Sequence, residues 1–204
     1  MPRAEDAGRT GLRMRDLAVG GARILNWPNS ITVLRTALAI PFGFVALRTG
    51  AAAWLIAAYA TYWVGDVADG RVARRLGQET RLGAVFDILA DRGCSAICVA
   101  ALAAIRPEFA PALCVYWVQF MVVDTLLSCA FLHWPILSPN YFHKVDRRVY
   151  LWNWSPPAKA ANTSLLLVVL LTLPTWVGFG LACAQLVLKL VSARWVARLA
   201  TARP

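Results

Sequence analysis

The chain has 204 residues, 59% of them hydrophobic, with a mean hydropathy of +0.55 and a formal charge of +10. Soluble globular domains carry about 45–50% apolar residues, so this composition excludes an ordinary soluble fold and indicates a membrane protein. The basic residues sit beside apolar runs, where they meet anionic headgroups, and this excludes nucleic acid as the partner they serve.

Taken in order, the sequence predicts an all-α, polytopic membrane protein: residues 1–28 form a cytoplasmic arm, and 29–204 form a six-helix membrane domain. Residues 1–12 are polar. Between Leu12 and Leu25, Leu17 and Ile24 alternate with Arg13, Arg15, Asp16 and Arg23, the pattern of a juxtamembrane helix lying along the interface; a solvated arm is the alternative. No apolar core of a cleaved signal precedes Trp27, so the first span is expected to be the targeting signal.

Trp27-Pro28-Asn29 marks membrane entry, with Trp at headgroup depth and Pro opening the helix. The first span, Asn29 to Leu47, carries Thr32 and Arg35. An arginine two turns into lipid needs a partner, which is either a ligand or a structural ion pair. Span two, Ala51 to Arg74, is longer than the ~20 residues needed to cross, so its last turns emerge. Span three runs from Thr80 to Ile105, and Arg106-Pro107-Glu108 breaks it. Span four, Phe109 to Leu132, contains Gln119 and Asp124, and Asp124 either lines a cavity or pairs with Arg35 or Arg92.

From His133 to Pro157 the chain is polar, aromatic and proline-rich. It reads as an acceptor-side lid or as a headgroup belt of Tyr150, Trp152 and Trp154. Span five is Lys159 to Leu173. Span six is Trp176 to Leu190, with Lys189 opening a basic tail. The five cysteines show no CxxC spacing and read as small apolar residues. Basic residues gather at one end of the six spans, so the positive-inside rule puts both termini on the cytoplasmic side of the cell (inner) membrane.

Within spans two and three stand four aspartates: Asp66 and Asp69, three apart, and Asp87 and Asp91, four apart. Each pair lies on one helix face. The link from Arg74 to Thr80, with Gly77 near its middle, is short enough to fold the two helices antiparallel, so that all four carboxylates face one another. A carboxylate in hydrocarbon costs about 2.5–3.5 kcal/mol, so four facing one another must bind or react. Oxygen-only donors suit Mg²⁺ or Mn²⁺, and two such ions about 3.5–4 Å apart clamp displacements at phosphorus. An ion-coupled transporter or channel is the competing class. It lacks broken-helix repeats and does not require the glycines and arginine at fixed spacing. A noncatalytic scaffold would not keep all four acids.

The stretch reads Asp66-x-x-Asp69-Gly70-x-x-Ala73-Arg74, eight residues, then Gly83-x-x-x-Asp87-x-x-x-Asp91. It resembles the signature of the CDP-alcohol phosphotransferases, integral membrane enzymes of phospholipid synthesis. The resemblance implies that Asp66, Asp69, Asp87 and Asp91 hold a two-metal centre and that Asp91 is the general base. It implies that Asp69, Gly70, Ala73, Arg74 and Gly83, with Thr32 and Arg35 of the first span, bind the CDP moiety. Absent side chains at Gly70 and Gly83 let a nucleotide approach the backbone, and the planar fork of Arg74 suits phosphate. The implied donor is CDP-diacylglycerol, with CMP as leaving group. In first-span motif and size the chain looks most like phosphatidylglycerophosphate synthases, which implies glycerol 3-phosphate as acceptor; inositol phosphate, phosphatidylglycerol and serine are the alternatives. Lys144, Arg147, Arg148 and Lys159 form a basic cluster suited to a phosphorylated acceptor. Relatives of this kind also imply a homodimer.

Overall fold

The computed structural model describes residues 26–202, so the predicted arm and interfacial helix before Asn26 lie outside the described residues. Among the described residues all regular structure is helical. Helix α1 (Trp27–Thr49) starts at Asn26, whose side chain accepts the Asn29 N–H at 2.9 Å, and stops at Gly50, which takes φ 68°. Helix α2 (Ala52–Leu76) ends the same way at Gly77, φ 62°. Thr80 then caps α3 (Arg81–Ile105) by accepting the Gly83 N–H at 2.9 Å. Two such caps within four residues turn the chain through a hairpin, as the Gly77 link predicts.

Helix α4 (Pro107–His133) is continuous but irregular: residues Gln119–Asp124 form a π turn and Ala130–His133 a 3₁₀ turn. A 3₁₀ turn, Pro139–Lys144, and the short helix α5 (Arg147–Asn153) follow, with Asp146 capping α5. Helix α6 (156–172) contains a second π turn at Ala161–Leu165. After Pro174, α7 (Thr175–Thr201) runs to the end of the described chain.

Helix α1 packs along α2 and α3, α3 contacts α4, and α7 lies against α4 and α6. The first of these contacts is built from small residues: Ala39, Ala46 and Ala58 are fully buried, and a Cβ on Gly43 would stand 2.8 Å from the Ile97 side chain. Helices in lipid gain little from hydrophobicity between them, so close backbone approach supplies the contact instead. Large apolar side chains such as Leu34, Phe44, Leu126 and Val187 point outward, as a lipid-facing surface requires.

Among the described residues four helices, α1, α3, α4 and α7, are long and apolar enough to cross a membrane. Helix α2 has the length but carries Asp66, Asp69, Arg71, Arg74 and Arg75, and α6 is shorter and interrupted. Two boundaries differ from expectation. The last span does not end near Leu190, and Lys189 does not open a tail: it lies in the middle of α7 and is buried. The His133–Pro157 stretch is not a simple aromatic belt either. Trp154 is buried with Phe131, Trp134, Phe142 and Val149 in one aromatic core against Ile88 and Val196, while Trp152 is exposed. Indole and phenyl rings look alike in sequence whether they face headgroups or a core.

Candidate active site

Asp66 lies ten residues before the end of α2 and Asp91 ten residues after the start of α3. At about 1.5 Å per residue, Asp66 and Asp91 sit roughly 15 Å from the hairpin and Asp69 and Asp87 roughly 10 Å, so the two pairs lie at matching depth. Carboxylate oxygens of Asp66, Asp69 and Asp87 lie within 4.8 Å of one another.

Arg35, on the facing side of α1, joins the four. Its Nε donates to Asp69 Oδ2 at 3.0 Å. Its Nη2 donates to Asp87 Oδ1 at 2.6 Å and Asp91 Oδ1 at 2.8 Å, and stands 3.8 Å from Asp66 Oδ1. Thr32 Oγ1 donates to Asp69 Oδ2 at 2.8 Å. Arg35 thus pairs with the acidic cluster rather than with Asp124. One guanidinium against four carboxylates leaves an excess of negative charge in a low-dielectric setting, so the donor set fits hard divalent cations. Arg35 Nη1 is buried and has no hydrogen-bond partner among the described residues. The Tyr62 ring lies under the guanidinium, 5.6 Å from ring centroid to Cζ.

Gly65 is a site residue that the sequence reading missed. A Cβ there would fall 2.5 Å from Arg35 Cβ and Cδ, so glycine is what lets the arginine stem cross α2. Its position immediately before the first aspartate was the available signal. The space beside Gly70 is occupied by the Arg74 guanidinium, 3.3 Å from where a Cβ would stand, and Arg74 itself is exposed. A Cβ on Gly83 would stand 2.9 Å from Thr80 Oγ1 and 3.1 Å from Asn29 Oδ1, so the start of α3 lies close against the start of α1. Ala73 is half-buried, one turn beyond Asp69.

A second buried charge group adjoins the first through Arg92. Its Nη2 donates to Asp124 Oδ2 at 2.6 Å, its Nε donates to Thr125 Oγ1 at 2.8 Å, and its guanidinium stacks on Phe120 at 3.7 Å. Lys189 Nζ meets the other Asp124 oxygen at 2.5 Å. Asp124 therefore pairs with Arg92, one of its two expected partners, and with Lys189, which had been read as tail.

Arg81, a cation at the start of α3, is buried and donates through Nη2 to the carbonyls of Leu132 and Trp134. The carbonyl of Leu132, in the last turn of α4, has no intrahelical partner and the guanidinium satisfies it, while the Trp134 carbonyl just beyond the helix also accepts the Ile136 N–H at 2.8 Å. Lys144, Arg147, Arg148 and Lys159 are all exposed. Lys144 lies over the Tyr141 ring and Lys159 donates to Asn140 at 2.7 Å, so these two meet at one turn. Arg148 lies over Trp195 of α7. Tyr141 Oη donates to Glu79 Oε2 at 2.7 Å, and that bond holds the phenol above its ordinary range.

The profile of the CDP-alcohol phosphatidyltransferases matches residues 25–196. A Mycobacterium tuberculosis protein named a cardiolipin synthase is 43% identical over 70 residues, 34% of this chain and 34% of that protein; a Mycobacterium bovis protein of the same name matches equally. The Drosophila melanogaster CDP-diacylglycerol–inositol 3-phosphatidyltransferase is 30% identical over 121 residues, 58% of this chain and 50% of that protein. The alignments thus span between a third and a half of these relatives. No solved structure matches.

Proposed function

Because the chain belongs to the CDP-alcohol phosphatidyltransferase family, we propose that it transfers the phosphatidyl group of CDP-diacylglycerol to a hydroxyl acceptor and releases CMP. The observation that carries this reading is the convergence of four carboxylates from two helices upon Arg35. Asp66, Asp69 and Asp87 would hold the divalent ions, Mg²⁺ or Mn²⁺, with Asp91 beside them. Bound there, the ions supply neutralisation of the bridging phosphates and of the leaving phosphate.

The chain's own residues supply the rest. Asp91 accepts the proton as the acceptor oxygen bonds to the β-phosphorus. The bond from that phosphorus to the bridging oxygen breaks, and CMP leaves with its electron pair. Arg35 and Thr32 fix the rotamers of the acids, so little reorganisation accompanies reaction. The free donors of Arg35 Nη1 and the fork of Arg74 suit phosphate oxygens, and Gly70, Ala73 and Gly83 complete the CDP subsite.

Glycerol 3-phosphate is the acceptor we propose, with Lys144, Arg147, Arg148 and Lys159 drawing its phosphate to the mouth of the site. The relatives named cardiolipin synthases favour phosphatidylglycerol as the second reading. We further propose that α2 and α6 cross the membrane with the other four helices, giving six spans. The basic ends near Arg71, Arg75, Lys144 and Arg198 then face the cytoplasm at the inner membrane, opposite Arg48 and Arg106, and the protein works as a homodimer.

The test is CMP release from CDP-diacylglycerol by purified protein with Mg²⁺ or Mn²⁺, offering glycerol 3-phosphate, inositol phosphate, serine and phosphatidylglycerol separately. Release with glycerol 3-phosphate supports the reading. Release with none overturns it.

A further inference from the structure

Beyond the acidic cluster, between α2, α3, α4 and α6, lies a cavity of about 400 Å³ with almost wholly apolar walls. Its inner end is ringed by the side chains of Tyr59, Tyr62, Ser95 and Tyr116. Tyr62 is shared with the acidic site, since its ring underlies Arg35. From that ring the cavity follows α2 back to Ala52 and α3 on to Ile105, ten residues on each helix. Ten residues of helix rise about 15 Å, half of a hydrocarbon core of about 30 Å. Ile56 and Leu171 line the cavity and are also exposed, 67% and 57%, so it opens sideways to lipid.

Such a space is too apolar for the nucleotide and too deep in the membrane for a water-soluble acceptor. Its walls run about 15 Å along two helices, its side is open to the bilayer, and its polar end abuts the phosphate site. Tyr59 Oη is buried there without a partner among the described residues, a donor left for an ester oxygen. We propose that this cavity receives one acyl chain of the lipid whose diphosphate lies among the four aspartates, and that its far end limits the length of that chain. The inference rests on the functional reading above and adds a specificity element to it. The chain comes from the bilayer, where it is already among hydrocarbon, so the cavity gains little from the hydrophobic effect. It acts instead by fit: side chains that shorten it exclude long chains, as overpacked interiors exclude extra methylenes.

Val99 lies two turns beyond Asp91, about 12 Å along α3, and Leu102 lies deeper. Val99→Trp should lower kcat/KM for dioleoyl relative to dioctanoyl CDP-diacylglycerol by on the order of tenfold or more while sparing the short substrate. Leu102→Ala should relax discrimination toward longer chains. Independently of turnover, CDP-diacylglycerol carrying a diazirine at one acyl terminus should label wild-type protein on peptides containing Leu55 or Leu102. This holds even where a variant fails to fold. Unchanged chain preference in both variants, or label confined to outward faces such as those of Leu38 and Val187, overturns the assignment. Wild-type CMP release from either lipid tests the functional reading alone. Release with unaltered preference therefore separates failure of the cavity from failure of the reaction.

Discussion

Replacing Gly65 with alanine sets two effects of opposite sign against each other at the contact that holds Arg35. In a helix interior, alanine is favoured over glycine by about 0.5–1 kcal/mol, so propensity alone predicts a more stable protein. Sterically, the new Cβ would lie 2.5 Å from Arg35 Cβ, whereas carbon atoms rest about 3.5–4.0 Å apart. Arg35 Cβ is fixed to its backbone and cannot swing clear, so α1 must retreat from α2 by about 1 Å. Overpacking of this kind costs about 1–3 kcal/mol, which exceeds the propensity gain. Bonds from Arg35 now at 2.6–3.0 Å would stretch beyond about 3.5 Å and cease to be hydrogen bonds. We expect a net loss of about 1–2 kcal/mol by thermal unfolding in detergent. Because a displacement of about 1 Å at a reacting centre costs about 100-fold, we expect CMP release to fall on that order. A Gly65→Ala protein with a higher melting temperature and full turnover would refute the account of Arg35 as the positioning residue.

Asp91→Asn should keep CDP-diacylglycerol binding while slowing CMP release by about 10²–10⁴-fold, the range for a lost general base; retained turnover would refute that role. Asp66→Asn and Asp87→Asn should instead weaken metal binding, read by titrating Mn²⁺ into the purified protein. Arg81→Ala strands the carbonyl of Leu132 and leaves that of Trp134 with the Ile136 N–H alone, and should cost about 1–3 kcal/mol, measured as a fall in melting temperature. Asp124→Ala should destabilise more than Lys189→Met, because the first strands two buried cations and the second leaves Arg92 and Asp124 as a balanced pair. Equal effects would show that the three charges do not act as one group.

What could be read from sequence follows the reach of each interaction. The aspartate pairs were legible because spacings of three and four fix a helix face locally, and the Gly77 link set the two pairs opposite one another. Thr32 and Arg35 were legible as a polar pair in lipid, but their attachment to Asp69, Asp87 and Asp91 depends on which face α1 turns to α2, and that is decided by Gly65 and the alanines around it. Lys189 and Arg81 escaped for a related reason. A cation near the end of an apolar run looks like one that reaches for headgroups, and only tertiary packing reveals a partner more than fifty residues away. The extent of α7 was misjudged because Arg194 and Arg198 read as a stop, although both are exposed on a continuing helix. The basic cluster was legible as charge. Its distribution over the 139–144 turn and α7 was not, since cation–ring contacts leave no periodic trace.

The bond between Tyr141 and Glu79 has a geometric corollary. The hairpin at 77–80 sets how the two acid-bearing helices diverge, and a distant stretch of chain is tied to it. Lengthening or shortening the Pro139–Lys144 turn would therefore alter the gap between the aspartate pairs without touching either one.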